Sequence, residues 1–355
     1  MSKPKVYIYT PLDESGESHK RIVEAGCELR LGEATWHNIT GGDRDTMLDM
    51  NADTAALLGV AARRIPITRE VMEGAPNLRV VAKYTVGVDD IDLDAATDMG
   101  ILVTHCPTEA NWGGVAEGIM AYMLALLKQV RERDRHVKQG GWREGSLMGT
   151  YLGRRFDGNP GITIGIIGLG RIGARLADLL APWRVRIIAC DPYVDESKFI
   201  HHDVEPVDLD TLLKSSDVVT LHCDLTEETT GFIGAEQLAM MKPTAILLNA
   251  ARGPMVDVEA LYMALKEDRI AGAAIDVFPE EPPDPQLPLL GLGDKVLLSP
   301  HMITNNHNGG IKPAIPMATE AVLTVLRGEV PDHVYNEKAV PAWQERFGGK
   351  NLLTG

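Results

Sequence analysis

The chain has 355 residues, of which 35 are basic and 50 acidic, for a formal net charge of −15. No basic run offsets that balance, so nucleic acid and anionic membrane surfaces are excluded as partners. With 45% hydrophobic and 24% charged residues the chain reads as an ordered globular protein, long enough for about two domains with separate cores.

The opening "MSKPKVYIYT" has no signal-peptide core. Cys27, Cys106, Cys190 and Cys223 are far apart and form no C-x-x-C pair, so neither a metal site nor a disulfide framework is expected. A cytoplasmic protein with buried thiols follows as the expectation.

Through the first hundred residues short apolar runs alternate with helical stretches: "KVYIYT", a polar helix over "SHKRIVEAG", "AALLGV", "ITREVMEGAP", "LRVVAKY", "IDLDAATDMG" and "ILVTH". Such alternation predicts an α/β unit with a parallel sheet. A helix from Val115, "VAEGIMAYMLALL", is apolar nearly all round, which predicts a buried position between domains. It is too short to span a bilayer and carries Glu117. From Ile162 the alternation resumes with six candidate strands: "ITIGII", "VRIIAC", "DVVTLH", "AILLNA", "AGAAIDVF" and "KVLLSP". Last comes a helix over "ATEAVLTVLRGE", followed by a tail, "GGKNLLTG", expected to fray.

Gly168, Gly170 and Gly173 match G-x-G-x-x-G, a weak signal alone. Here the triplet follows the β-branched run "ITIGII" and opens a stretch with Ile172, Leu176, Leu179 and Leu180 at helical spacing. Asp191 closes the next apolar run, near the spacing of about 20 residues expected of a ribose-binding acid. A dinucleotide fits this pattern: the first glycine turns the chain, the second admits a pyrophosphate, and the third lets helix and strand pack. The amides of Arg171 and Ile172 would face the phosphates at the positive helix end. Asp191 accepts hydrogen bonds from the ribose hydroxyls and repels a 2′-phosphate, so NAD is favoured over NADP.

Ligands of an open parallel sheet bind beyond the carboxyl ends of its strands. "AILLNAARG" delivers Arg252 to that edge, "AAIDVFPEEP" delivers Asp276 and Glu281, and "KVLLSPH" delivers His301. Each also has an ordinary reading taken singly: an edge histidine, a solvated arginine, an acidic Pro-rich turn, a cap. Their common placement is what marks them as a site.

The motifs "TVGVDDID" from Thr85, "VAE" from Val115, "GLGRIG", "LHCDLTEETTGFI" from Leu221, "NAARG" from Asn249, "DVFPEEP" from Asp276 and "SPH" from Ser299 resemble, in order and spacing, the D-isomer-specific 2-hydroxyacid dehydrogenase family. The resemblance covers almost the whole chain. It implies a Rossmann dinucleotide-binding domain plus a flavodoxin-like parallel α/β substrate domain, with the cleft between them. The implied boundaries are 1–105 with 305–340 for the discontinuous substrate domain, 106–304 for the NAD domain and 341–355 for the tail. It further implies an NAD-dependent enzyme that reduces a small 2-keto acid or oxidises the D-2-hydroxy acid, and a homodimer.

By this resemblance Arg252, Glu281 and His301 correspond to the catalytic arginine, glutamate and histidine, and Asp276 to the carboxylate that contacts the nicotinamide carboxamide. The backbone at Val86 and Gly87 matches the segment holding the substrate carboxylate, while His222, Cys223 and Ala250 fall where members line the cofactor. The residue types suit hydride transfer to a keto carbon: a histidine to supply the proton and a planar guanidinium to grip carboxylate and carbonyl oxygens. Some relatives with the same triad act as NAD-sensing transcriptional corepressors, which is the alternative.

The pattern departs from the family in places. His301 is followed by Met302, Ile303 and Thr304, where members commonly have two glycines and a small hydroxyl residue, which predicts a reshaped pocket. Asp224 stands where proline is usual, and His105 and Gly114 where an asparagine and a small hydroxyl residue are commoner. Trp112 and Trp142 are read as core or interface residues.

Overall fold

The computed structural model describes residues 3–34, 47, 53–60, 66–307 and 309–354. Its strands form two sheets, one in each of two units: Met1–Asn111 with Asn306–Gly355, and Trp112–Asn305. The division falls at 111/112 and 305/306, a few residues from the expected boundaries.

In the first unit five parallel strands are ordered β2-β1-β3-β4-β5: β1 Lys5–Ile8, β2 Glu28–Leu31, β3 Thr54–Gly59, β4 Val80–Lys83 and β5 Leu102–Thr104. This is the flavodoxin-like order. The central strands β3 and β4 are buried throughout and are apolar but for Thr54 and Lys83. Strand β2, "ELRL", escapes a sequence reading because it sits at the sheet edge with Glu28 and Leu31 exposed. One face of the sheet packs Val6, Ile8, Val80 and Ala82 against Ala318, Val322 and Leu326 of the helix Ala314–Leu326. The other face buries Tyr7, Leu57, Val81 and Val103 beside Val71 and Met72.

The tail expected to fray is instead tied to the first unit: the Gly349 N–H donates to the Gly328 carbonyl at 2.9 Å and the Leu352 N–H to the Leu326 carbonyl at 2.9 Å. Trp343, on the helix Val340–Phe347, is fully buried and its Nε1 donates to the Arg79 carbonyl at 3.1 Å. The Arg79 guanidinium in turn donates to the Lys350 carbonyl at 2.7 Å and lies 4.9 Å from the Phe347 ring centre. Trp343 and Phe347 lie four residues apart on one helix face, so together they anchor 341–354 to the first unit's core.

The second unit holds seven parallel strands in the order β12-β11-β10-β9-β6-β7-β8: β6 Thr163–Ile167, β7 Arg186–Cys190, β8 Glu205–Pro206, β9 Val218–Leu221, β10 Ile246–Asn249, β11 Gly272–Ile275 and β12 Val296–Leu298. All six expected strands are present, and the two-residue β8 joins them at the edge. β8 takes the third-strand place of the Rossmann order, and "KVLLSP" forms a seventh strand. A two-residue exposed strand has no periodicity to detect.

The helix Glu109–Leu127 begins earlier than its apolar run, and its Val115, Ala116, Ile119 and Met123 join Ile164, Ile166 and Leu176 in the second unit's core. No helix among the described residues is long and apolar enough to cross a membrane.

Candidate active site

Because the second sheet is parallel, Gly168, Asp191, His222, Ala250, Asp276 and Ser299 each follow the last residue of a strand and share its carboxyl edge. The glycine turn begins this edge. Gly168 has a φ of +92°, and a Cβ there would lie 2.6 Å from the Cys223 nitrogen, so only glycine lets β6 end against residues 222 and 223. At Gly173 a Cβ would meet the Gly168 carbonyl oxygen at 2.2 Å, which seats the helix Arg171–Leu180 on the turn. Nothing lies within 4 Å of the same point at Gly170. The space beside Gly170 is therefore open at the start of the helix, as an approaching pyrophosphate requires.

Asp191 is held in place by its own neighbours: its carboxylate accepts the Leu169 N–H at 2.8 Å and the Tyr193 N–H at 3.0 Å. One oxygen thus grips the glycine turn and the other the chain beyond β7. Across the turn, burial pushes the His222 imidazole down to about 3, so it is neutral at physiological pH. Its Nε2 lies 2.9 Å from Thr220 Oγ1, while its buried Nδ1 has no hydrogen-bond partner among the described residues. An orphaned ring nitrogen and an open helix start fit a polar ligand on this edge. Burial raises the Cys223 thiol to about 11 and the Cys190 thiol as well, so both are protonated and unreactive; all four cysteines are free. No cluster of potential metal ligands occurs among the described residues.

The candidate catalytic groups stand on three neighbouring loops. After β10, Asn249 Oδ1 accepts the Ala251 N–H at 3.0 Å and its Nδ2 donates to the Arg252 carbonyl at 3.0 Å, which shapes the turn carrying Arg252. A Cβ on Gly253 would lie 2.0 Å from the Phe278 carbonyl carbon, so this turn presses directly on the loop after β11. That loop brings Glu281 to His301: Glu281 Oε1 accepts the Phe278 N–H at 3.0 Å and Oε2 lies 2.9 Å from His301 Nδ1.

His301 itself has a φ of +56°, a left-handed backbone uncommon for a residue with a Cβ. Asp276 holds it there. Its carbonyl accepts the His301 N–H at 2.7 Å, and its fully buried carboxylate accepts the N–H groups of Met302 at 3.1 Å and Ile303 at 3.3 Å. The Tyr122 hydroxyl, raised by burial to about 12 and so protonated, donates to the same carboxylate at 3.4 Å. Neither this brace nor the strained histidine had a signal in the sequence.

The departure at Ile303 also has a local answer. A Cβ on Gly118 would lie 2.1 Å from Ile303 Cγ1, so the isoleucine side chain fills a hole in the helix Glu109–Leu127. The expected crowding of the pocket by residue 303 is thereby absorbed, whereas Met302 is 39% exposed. Trp142 is 74% exposed, which rules out the core half of its expected role.

Val86 and Gly87 lie in the first unit, in the loop after β4. The carbonyls of this loop are occupied: Thr85 accepts from the Cys106 N–H at 3.1 Å, Gly87 from Thr85 Oγ1 at 3.0 Å, and Val86 O is 3.1 Å from His105 Nδ1. Among the described residues no hydrogen bond uses the N–H of Thr85, Val86, Gly87 or Val88. A run of backbone donors with its acceptors turned away suits an anion.

Comparison with known proteins identifies the family. The family model described as D-isomer specific 2-hydroxyacid dehydrogenase, NAD binding domain, matches residues 120–302. A glyoxylate reductase of Korarchaeum cryptofilum is 39% identical over 341 residues, spanning 95% of this chain and 97% of that protein. A D-3-phosphoglycerate dehydrogenase of Methanocaldococcus jannaschii is also 39% identical, over 97% of this chain and 61% of its own length. The crystal structure of a glyoxylate reductase from Paecilomyes thermophila superposes with a TM-score of 0.82 at 23% identity, covering 95% of this chain and all of that one, and so shares the fold. The chain belongs to the D-isomer-specific 2-hydroxyacid dehydrogenase family and is an NAD-dependent oxidoreductase acting between 2-keto acids and D-2-hydroxy acids.

Proposed function

We propose that the protein reduces a small 2-keto acid, with glyoxylate as the first candidate, and that His301 is the proton donor. The observation that carries this reading is the 2.9 Å pair of His301 Nδ1 and Glu281 Oε2 at the carboxyl edge of a dinucleotide-binding sheet. Glyoxylate is named because two relatives matched over 95% and 96% of this chain carry the name glyoxylate reductase.

When bound, NADH supplies the hydride for the keto carbon. Gly168 and Gly170, with the amides of Arg171 and Ile172, would hold its phosphates, and Gly173 lets the helix pack on that turn. Asp191 would hold its ribose, and Ala250, His222 and Cys223 line its remaining length. Asp276, fully buried with its carboxylate given to the Met302 and Ile303 N–H groups, orients the His301 turn in place of touching the nicotinamide. As negative charge develops on the keto oxygen, His301 delivers a proton. Because the Glu281 carboxylate can only accept, Nδ1 is the donor to it, and Nε2 is the nitrogen that serves the substrate. Arg252 polarises the carbonyl and pairs with the carboxylate through its planar fork. By the family resemblance the N–H groups at Val86 and Gly87, in the first unit, are further donors for the substrate carboxylate.

In the same reading the protein is a cytoplasmic homodimer. Supporting the dimer, Trp142, Met148, Tyr151 and Phe156 are all at least 62% exposed along one stretch of the second unit, large apolar side chains that a subunit contact would cover.

The test is NADH oxidation with glyoxylate, hydroxypyruvate, pyruvate and larger 2-keto acids. Turnover is expected with glyoxylate, reduced at least about 100-fold in Arg252→Lys and further in His301→Gln. NADH that binds and is consumed with none of these acids would establish a sensor in place of an enzyme.

A further inference from the structure

Beneath the loop that carries Val86 and Gly87 lies a pair of charges with no solvent exposure at either side chain: Lys83 and Asp90. Lys83 is the last residue of β4, and Asp90 closes the loop that follows. The Lys83 ammonium spends all three protons, donating to Asp90 Oδ2 at 2.5 Å, Tyr9 Oη at 2.5 Å and the Val60 carbonyl at 3.2 Å. The Tyr9 hydroxyl passes its own proton to the Val60 carbonyl at 3.0 Å, and Val60 N–H donates to Thr10 Oγ1 at 2.7 Å. One ammonium therefore joins the carboxyl ends of β1, β3 and β4 to the far end of the 84–90 loop. Asp90 is fixed from outside as well, since its carbonyl accepts the Ile67 N–H at 2.7 Å.

Burying two charges is costly, and well-packed apolar residues of the same volume usually stabilise a core as well or better. Space filling therefore does not account for the pair. Its geometry does supply something an apolar pair lacks: a directional link between the residue before the loop and the residue that ends it. Such a link fixes the path of the segment in between, where the carbonyls of Thr85, Val86 and Gly87 are hydrogen-bonded and, among the described residues, no hydrogen bond uses the N–H groups of Thr85 to Val88.

We infer that Lys83 and Asp90 are positioning residues that staple this loop and thereby set the enzyme's affinity for the carboxylate of its 2-keto acid. The inference rests on the reading of Val86 and Gly87 as the carboxylate-binding segment. Lys83 touches no substrate; it acts through the backbone above it.

The test removes both charges at nearly constant volume, in Lys83→Met/Asp90→Asn, so that neither partner is left buried alone. Steady-state NADH oxidation with glyoxylate, NADH affinity by fluorescence titration and the thermal midpoint are measured beside the wild type. The expected result is a folded double variant with unchanged NADH affinity, a KM for glyoxylate raised about tenfold and kcat within about threefold of wild type. Tyr9→Phe, which deletes one acceptor of the ammonium and keeps the ring, should shift KM the same way by about threefold and covers the case in which the double variant fails to fold. Wild-type KM in a folded double variant, or in Tyr9→Phe should the double variant not fold, would overturn the inference while leaving the enzyme assignment intact. Failure of the wild-type protein to turn over any 2-keto acid would instead remove the reading on which it depends.

Discussion

Ile303 and Gly118 complement each other: the isoleucine Cγ1 occupies the point 2.1 Å from where a Cβ on residue 118 would stand. The contact anchors the chain two residues past His301 to the helix Glu109–Leu127. The turn bearing the histidine is thus fixed on one side by packing and on the other by the Asp276 carboxylate.

Gly118→Val is therefore expected to cost about 1 to 3 kcal/mol by overpacking, although a helix interior normally prefers a residue other than glycine. Urea unfolding measures the loss. Adding Ile303→Gly should restore much of it, and additive losses in the double variant would contradict the proposed contact.

The Glu281 to His301 pair predicts a separation of chemistry from binding. Glu281→Gln keeps an oxygen and an amide of the same size but lacks a charge opposite the imidazole. Its kcat is expected to fall about 10- to 100-fold with little change in NADH affinity. Single-turnover and binding measurements on the same protein check both halves.

His222 makes stability depend on pH. Its folded value of about 3 lies below the ordinary 6.5, so below pH 6.5 the unfolded chain takes up a proton that the folded chain refuses. The stabilisation is complete above pH 6.5 and is lost as pH falls from there toward 3, at up to about 1.4 kcal/mol per unit. Wild-type protein should lose about 2 kcal/mol more than His222→Gln between pH 7 and pH 5. Denaturant titrations at the two pH values read this directly.

Asp191→Ala should weaken NAD binding and narrow its preference over NADP, because it removes both an acceptor for the ribose hydroxyls and a repulsive charge. The Leu169 and Tyr193 N–H groups would lose their acceptor too. Binding titrations with the two cofactors distinguish a lost preference from a uniformly weakened site.

Trp343→Ala is expected to destabilise the protein by about 3 to 5 kcal/mol, since the indole is fully buried and its N–H serves the Arg79 carbonyl. Equilibrium unfolding measures the loss.

What the sequence determined by itself was the chemistry that follows chain order. In a parallel sheet any residue just past a strand's last apolar position must come to the carboxyl edge, so Gly168, Asp191, Arg252, Asp276 and His301 could be placed by counting along apolar runs. Edge elements without periodicity, β2 and β8, stayed hidden for the converse reason: half-exposed strands carry no continuous apolar run. Tertiary structure alone decided the left-handed backbone of His301, the use of Asp276 as its brace, the fit of Ile303 into Gly118, the anchoring by Trp343 and the buried union of Lys83 with Asp90. Each depends on volumes and hydrogen-bond donors meeting in space. Except for Lys83 and Asp90, their partners lie 20 or more residues away along the chain, and no local spacing records which hole a side chain will fill or which carboxylate will accept which proton.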